Sequence, residues 1–381
     1  MTTATLIAGI PAHNDTLYHR IRFAVGDPAA CLELPEGRLL IVRDIEMDRA
    51  RTQAHADRVA CPADFTPEGG LDGDRETATA QAAAEALRQH GIQEVVADRT
   101  LGLLFVEQLR AAGIALRLDP NLGVAERRQK DAKELEMLHE CQCVTESAVR
   151  MACERIAAAT PNADGVLLDD GEPLTSERMQ AIIDIFLLEQ GFAGSDSIVA
   201  GAKDGGDCHE RGTGALRTEE PIIVDSFPRS ARNRYNGDCT RTVVHGAISD
   251  QIQCMHAAVV AAKEAAVNTL RTGVEGSTVH QATVDTLNAH GFAFGFPGKD
   301  QPSDAVTMPH GTGHGLGLAV HEPPLLDDKG VALVKGDVVT IEPGLYGTLV
   351  GGIRVEDVYA VQDDGAIQLG GTLHEGLTWS G

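Results

Sequence analysis

The chain has 381 residues, 43% of them hydrophobic and 23% charged, which excludes a disordered chain and favours two or three domains. No stretch approaches the ~18 uncharged apolar residues of a membrane span, and the opening MTTATLIAGIPAHND lacks the basic start of a signal peptide. The formal net charge of −24 argues against a nucleic-acid partner, which calls for a basic face, and reads mostly as a solvated, self-repelling surface.

Residues 1 to about 125 alternate short apolar runs with helical patterns. GRLLIVRD, around Leu39 to Val42, reads as a strand, and TATAQAAAEALRQHG as a helix ending at Gly91. EVVAD is a strand, GLLFVEQLRAAG a helix and IALRLD a strand. This is α/β alternation, without a phosphate loop or a His/carboxylate cluster. DPNLGVAERRQ reads as a linker, so the expected domains are 1–125 and 126–381. A long amphipathic helix follows, capped by Asp131, with Leu135, Leu138, Cys141, Val144, Ala148 and Met151 recurring at three and four. A second helix spans about Thr175 to Gln190 and is stopped by Gly191. Two strands come next, PIIVD and GDCTRTVVHG.

The order then repeats. SDQIQCMHAAVVAAKEAAVNTL is a long helix, STVHQATVDTLNAHG a second one stopped by Gly291, and DVVTIEPG and GGIRVEDVYAV are strands. The long helices start near 131 and 249, Asp225 has Glu342 as its counterpart, and Asp238 has Glu356. These offsets of 117 or 118 residues indicate a duplicated domain with pseudo-two-fold symmetry.

Each of the four acids lies on or at the end of a strand that would otherwise be buried. A buried carboxylate costs several kcal/mol unless it is paired or binds metal, so four such acids need a shared explanation. Between the acid pairs lies MPHGTGHGLGLAVHEPP. Its glycines disfavour a helix and let the backbone approach a ligand closely. It places three histidines, His310, His314 and His321, in twelve residues. Four carboxylates with one imidazole, and no thiolate, suit two divalent ions of the Mn, Co or Zn type. Such a pair, ~3.5–4 Å apart, lowers the pKa of a shared water, which is hydrolytic equipment. The eight cysteines form no CxxC and read as reduced thiols in a cytoplasmic chain. Cys141 and Cys143 lie two apart in a helix, facing different sides, which is a poor metal-binding arrangement.

From about Asp131 onwards the chain resembles the creatinase/methionine aminopeptidase superfamily, the pita-bread metallopeptidases of family M24. Within it the chain is most similar to the branch of aminopeptidase P and prolidase. The motifs that carry the resemblance are IIVDSFPRSARNRYNGDCTRT, HGTGHGLGLAVHEPP, TIEPGLYG and GGIRVEDV. The N-terminal part resembles that family's creatinase-like α/β domain more weakly. The resemblance implies an α/β (α+β) chain with a C-terminal pita-bread catalytic domain. It implies five metal ligands: Asp225 on one ion, Asp238 and Glu356 bridging, His314 and Glu342 on the other. Glu342 would also accept a proton, His321 would steady the tetrahedral intermediate, His310 would line the pocket and His209 would bind substrate. Arg354 is expected in the same pocket, as a substrate-side residue and a support for Glu356, with Thr240 supporting Asp238, because side chains at i and i+2 share a strand face.

The implied activity is hydrolysis of Xaa-Pro bonds at the N-terminus of small peptides with proline second, using two divalent ions, Mn foremost. An Xaa-Pro dipeptidase is the close alternative, and a metal-dependent lyase of the same fold a further one. A cytoplasmic homodimer is expected. The chain departs from the family pattern between the first two acids, which are thirteen apart rather than eleven. Ser226-Phe227-Pro228 follows Asp225 where a glycine is usual two residues on, and an enlarged loop, Arg229 to Asn236, is expected to reach over or away from the pocket.

Overall fold

The computed structural model describes residues 3–194, 196–297, 302, 305–371 and 373–380. The chain divides into two compact units, Met1–Arg127 and Arg128–Gly381.

The N-terminal unit is built on a six-stranded sheet. Its spatial order is Arg58–Ala60, Gly37–Ile41, Ala29–Leu34, Thr3–Gly9, Glu94–Ala97, Ala115–Leu118. Both faces are covered, so alternate residues of one strand enter different cores. Leu6 and Ala8 join the core that contains Leu87, Phe105 and Leu109, while Ile7 joins Leu17, Ile21 and Leu40. The helix Arg75–Gln89 begins where the Asp74 side chain accepts the Thr77 N–H, and ends before Gly91, whose φ of +68° suits glycine. Its buried Ala80, Ala82, Ala83, Ala84 and Ala86 allow close packing. The central strand Thr3–Gly9 and its neighbour Ala29–Leu34 carry no alternation, because both faces are buried, and pattern alone does not mark them. The expected linker contains a short helix, Val124–Arg128.

The C-terminal unit shows the repeated order. The helices Ala132–Ala158 and Ser176–Glu189 precede the paired strands Pro221–Ser226 and Cys239–Val244. The helices Asp250–Thr269 and Gly276–Ala289 precede the paired strands Val338–Ile341 and Asp357–Gln362. The second helix of each half is followed by a positive-φ glycine, Gly191 at +80° and Gly291 at +88°. Additional strands join each ladder, Ile198–Gly201 in the first half and Gly313–Gly315, Glu322–Leu326 and Gly365–Gln368 in the second.

Asp131 caps the long helix as expected, in a reciprocal box with Glu134. Its buried face is rotated from the expected stripe. Leu135, Val144 and Met151 are only partly buried, whereas Gln142, Thr145 and Glu146 are fully buried. The helix lies across the strands Pro221–Ser226 and Cys239–Val244, where Gln142 meets the Asp238 backbone; Thr145 donates to the Cys141 carbonyl of its own helix and Glu146 accepts the Gly371 N–H. Among the described residues, no helix is long and apolar enough to cross a membrane.

The enlarged loop is not a flap. Ser230 N–H bonds the Tyr235 carbonyl, and Arg229–Ser230 pairs with Phe192–Ala193. Tyr235 is buried and its hydroxyl bonds Glu134. Asn236 gives both its backbone N–H and its side-chain amide to the Gly317 carbonyl, each at 2.9 Å. The loop therefore packs against the long helix and against the glycine-rich segment between His314 and His321. Cys141 belongs to this packing. Its thiol faces Asn233 and the Tyr235 carbonyl, and burial pushes its pKa up to about 12.

Candidate metal centre and its pocket

Asp225 sits near the end of Pro221–Ser226, paired across the ladder with Thr240. Asp238 lies two residues before Thr240, so the side chains of Asp225, Thr240 and Asp238 share one face. In the second half the ladder closes at Ile341↔Asp357, with Glu342 and Glu356 the next residues outward. His314 lies on Gly313–Gly315, which pairs with Val338–Ile341 at Gly315↔Val339. Gly313 makes this possible, because a Cβ there would collide with the Thr340 carbonyl.

The four acids and the three histidines line one cavity of about 610 Å³, together with His209, Arg354, Cys208 and Phe227. Ligand atoms of Asp238, His314 and Glu356 lie within 4.8 Å of one another. His314 Nε2 is 3.3 Å from Glu342 Oε1 and 3.7 Å from Asp238 Oδ2. Its Nδ1 lies 3.1 Å from the Gly315 carbonyl, which can only accept, so the proton is assigned to Nδ1 and the Nε2 lone pair faces the acids. Asp225 takes the Arg354 Nη2 at 2.7 Å on Oδ2, and its buried Oδ1 accepts no hydrogen bond.

The residues that hold the acids are not the ones expected from strand spacing. Arg354 bonds Asp225 rather than Glu356, and Thr240 Oγ1 donates to Glu356 Oε2 at 2.6 Å rather than serving Asp238. Sharing a face brings side chains to the same cavity, but the partner comes from the facing strand. Arg354 also donates to Tyr346 Oη at 2.8 Å, to the Cys208 carbonyl and to Thr240 Oγ1. Tyr346 in turn donates to His310 Nε2 at 2.9 Å, and His310 Nδ1 bonds the Gly311 carbonyl. Thr340 Oγ1 accepts the His314 N–H at 3.0 Å and donates to Glu342 Oε1 at 3.2 Å. His321 is exposed and stacks edge-on to His314, with ring centroids 4.3 Å apart. His209 is exposed at the cavity wall.

Electrostatics in the cavity follow from burial. Burial and then the neighbouring carboxylates push Asp238 and Glu356 well above the usual acid range. Burial also raises Glu342, against the pull of His310 and Arg354. Burial lowers His310 and His314, and His321, exposed on its outer side, is lowered by desolvation at the cavity wall and by neighbouring His314, so the neutral form of each is favoured. Burial disfavours the Arg354 charge, but Tyr346, Asp225, Glu342 and Glu356 outweigh it and raise its pKa. Among the described residues Arg354 is the guanidinium bonded to these acids, through Asp225 alone, and the buried Asp225 Oδ1 lacks a partner. Two divalent cations would supply the missing charge and ligate that oxygen, so the donor set fits oxygen-preferring divalent ions.

The sequence profile of metallopeptidase family M24 matches residues 136–363. The chain belongs to that family. It is similar to the putative dipeptidase YkvY of Bacillus subtilis, 30% identical over 181 residues that cover 47% of this chain and 46% of that one. It is also similar to the Xaa-Pro dipeptidase of Pyrococcus furiosus, 31% identical over 144 residues, 38% of each chain. The matches thus span about half or less of the curated relatives. The fold resembles the solved X-Pro aminopeptidase from Thermotoga maritima, with a TM-score of 0.81, 20% identity and coverage of 99% of this chain and 97% of that one. It resembles the Xaa-Pro dipeptidase from Bacillus anthracis with a TM-score of 0.80, 20% identity and coverage of 98% and 94%.

Behind the lining residues, Tyr346, Thr340 and Gln142 support the site, and the sequence did not single them out. Tyr346 stands in TIEPGLYG, four residues after Glu342, and an aromatic hydroxyl so close to a proposed ligand was the available signal. Thr340, two residues before Glu342, was marked by the same i, i+2 logic. Gln142 gave no signal beyond being polar in a helix.

Proposed function

We propose that this chain is a dinuclear-metal peptidase that hydrolyses Xaa-Pro bonds at the N-terminus of peptides, an Xaa-Pro aminopeptidase. The observation that carries the reading is that four carboxylates and the His314 imidazole line one cavity, with ligand atoms of Asp238, His314 and Glu356 within 4.8 Å of one another and a buried Asp225 oxygen that accepts no hydrogen bond. Asp225, Asp238, His314, Glu342 and Glu356 would hold the ions, with Mn²⁺ the proposed metal. When bound, the ion pair supplies Lewis acidity and a water activated at neutral pH.

The chain's own residues do the rest. Glu342 is anchored by the Thr340 hydroxyl on one oxygen and accepts the proton of the attacking water. Neutral His321 faces the cavity and offers an N–H to the oxyanion as the peptide carbonyl becomes tetrahedral. Tyr346 and Arg354 fix His310 in one tautomer at the wall, where it contacts substrate. His209 and Phe227 border the space left for the peptide. A proline ring has no N–H to offer, so it is recognised by shape, which a half-buried aromatic such as Phe227 provides. A cytoplasmic homodimer is part of the same proposal.

An Xaa-Pro dipeptidase is the second reading, supported by the likeness to the Xaa-Pro dipeptidase of Pyrococcus furiosus and to the putative dipeptidase YkvY. The test is hydrolysis of Ala-Pro against Ala-Pro-Ala by Mn²⁺-reconstituted enzyme. Faster turnover of the tripeptide is expected. Cleavage confined to the dipeptide would replace the aminopeptidase by the dipeptidase, and cleavage of neither would defeat the peptidase reading.

A further inference from the structure

The strand that carries Asp238 begins in an unusual way. The ladder between the first-half strands ends at Ser226↔Cys239, so Asp238 is the first residue beyond it. Cys239–Val244 is an edge strand, and Asp238 lies between Ser226↔Cys239 and the bond from the Gly237 N–H to the Pro228 carbonyl, so its own N–H and C=O point away from the facing strand, towards the open edge. The backbone of Asp238 nevertheless lies in the interior, with the residue only 4% exposed. A buried peptide group without partners is costly.

One side chain meets that need. Gln142 Nε2 donates to the Asp238 carbonyl at 2.8 Å, and the Asp238 N–H donates to Gln142 Oε1 at 3.0 Å. A primary amide carries one acceptor and a donor pair on a planar group, so it stands in for the missing peptide of a neighbouring strand. Gln142 is itself 1% exposed, on the long helix Ala132–Ala158. The helix comes this close because residue 237 is glycine. A Cβ there would collide with Thr145 Oγ1 and the Cys141 carbonyl. The Gly237 N–H bonds the Pro228 carbonyl at 3.1 Å, closing the enlarged loop just before Asp238.

We propose that Gln142 is a positioning residue for the metal centre: its amide fixes the backbone of Asp238 and thereby aims the Asp238 carboxylate at His314 and Glu356. The inference rests on the dinuclear reading above. Gln142 is not among the residues that line the cavity, and its amide bonds the Asp238 backbone rather than the carboxylate. It acts only through the φ and ψ of the residue that carries them. The alternative role is packing of the long helix on the sheet. Packing would affect stability without changing how tightly a folded protein holds cations.

The test is calorimetric titration of Mn²⁺ into metal-stripped wild type, Gln142→Ala and Gln142→Met, with melting temperatures and steady-state kinetics on Ala-Pro-Ala at saturating Mn²⁺. Met keeps the volume and the helix propensity of Gln, so it separates loss of the amide from loss of packing, and it decides the question if the Ala variant does not fold. The expected result is Mn²⁺ affinity weakened by roughly 10- to 100-fold in both variants, with kcat lowered and KM nearly unchanged once metal is saturating. A folded Gln142→Met protein that binds Mn²⁺ as wild type does, whatever its melting temperature, would overturn the proposal. If wild type itself binds no Mn²⁺, the dinuclear reading fails and takes this inference with it. If wild type binds Mn²⁺ but cleaves no peptide, only the peptidase reading fails, and the affinities still decide the role of Gln142.

Discussion

The two halves of the C-terminal unit carry equivalent acids but hold them by different means. In the first half, Asp225 is gripped by a guanidinium and Asp238 by an amide on its backbone. In the second, Glu342 and Glu356 each accept a threonine hydroxyl. The support is also crossed. Arg354, from the second half, holds Asp225 of the first, and Thr240, from the first half, holds Glu356 of the second. The halves resemble each other in topology because topology follows from the repeated helix-helix-strand-strand order. They differ in detail because each half makes up for what the other half's strands leave unsatisfied. Neither half alone would hold both of its acids, because Asp225 and Glu356 take these partners from the other half, whereas Asp238 and Glu342 are held from within their own.

The largest effect is expected from the acid that takes part in the tightest cluster. Asp238→Ala should lose retained metal and reduce turnover by more than the ~100-fold upper end for a supporting residue. Metal content of the purified variant and hydrolysis of Ala-Pro-Ala measure both. Retention of two ions with near-normal turnover would show that the first-half pair is not essential and would break the comparison.

The crossed support predicts an order among smaller effects. Arg354→Met removes a charged donor from Asp225 and also releases Tyr346, so Mn²⁺ affinity should fall by about 100-fold. Thr240→Val removes one hydroxyl from Glu356 at nearly constant volume and should cost about tenfold. Titration of both metal-stripped variants with Mn²⁺ gives the ranking. If Thr240→Val proved harmless while a change at a residue on Glu356's own strand did not, the support would be local and not crossed.

How much of this was legible in the sequence depends on the range of the interaction. The duplicated order was readable because helix periodicity, the glycine stops and the acid offsets are local signals repeated at one spacing. The acids and histidines stood out because charged or imidazole groups on buried strands demand a partner. The crossed support was not readable. It depends on how two ladders face each other, and spacing along one strand says only which face a side chain takes. The rotated face of the long helix was hidden for a related reason. An apolar stripe predicts the side that packs on apolar neighbours, whereas Gln142 and Thr145 are buried against backbone polar groups. In the N-terminal unit, the strands Thr3–Gly9 and Ala29–Leu34 escaped notice because burial on both faces erases alternation. The enlarged loop was seen as an insertion, but its inward packing rests on Tyr235 and Asn236 finding Glu134 and Gly317, contacts between positions far apart in the chain.

The most direct test of the central claim is to count the divalent ions the cavity holds. Metal-stripped wild-type protein would be titrated with Mn²⁺ by calorimetry, and the bound ions confirmed by elemental analysis after gel filtration. The account predicts two Mn²⁺ per chain, with peptidase activity rising as the sites fill and lost on chelation. A chain that binds no Mn²⁺, or that cleaves Xaa-Pro peptides fully in the presence of a strong chelator, would contradict it.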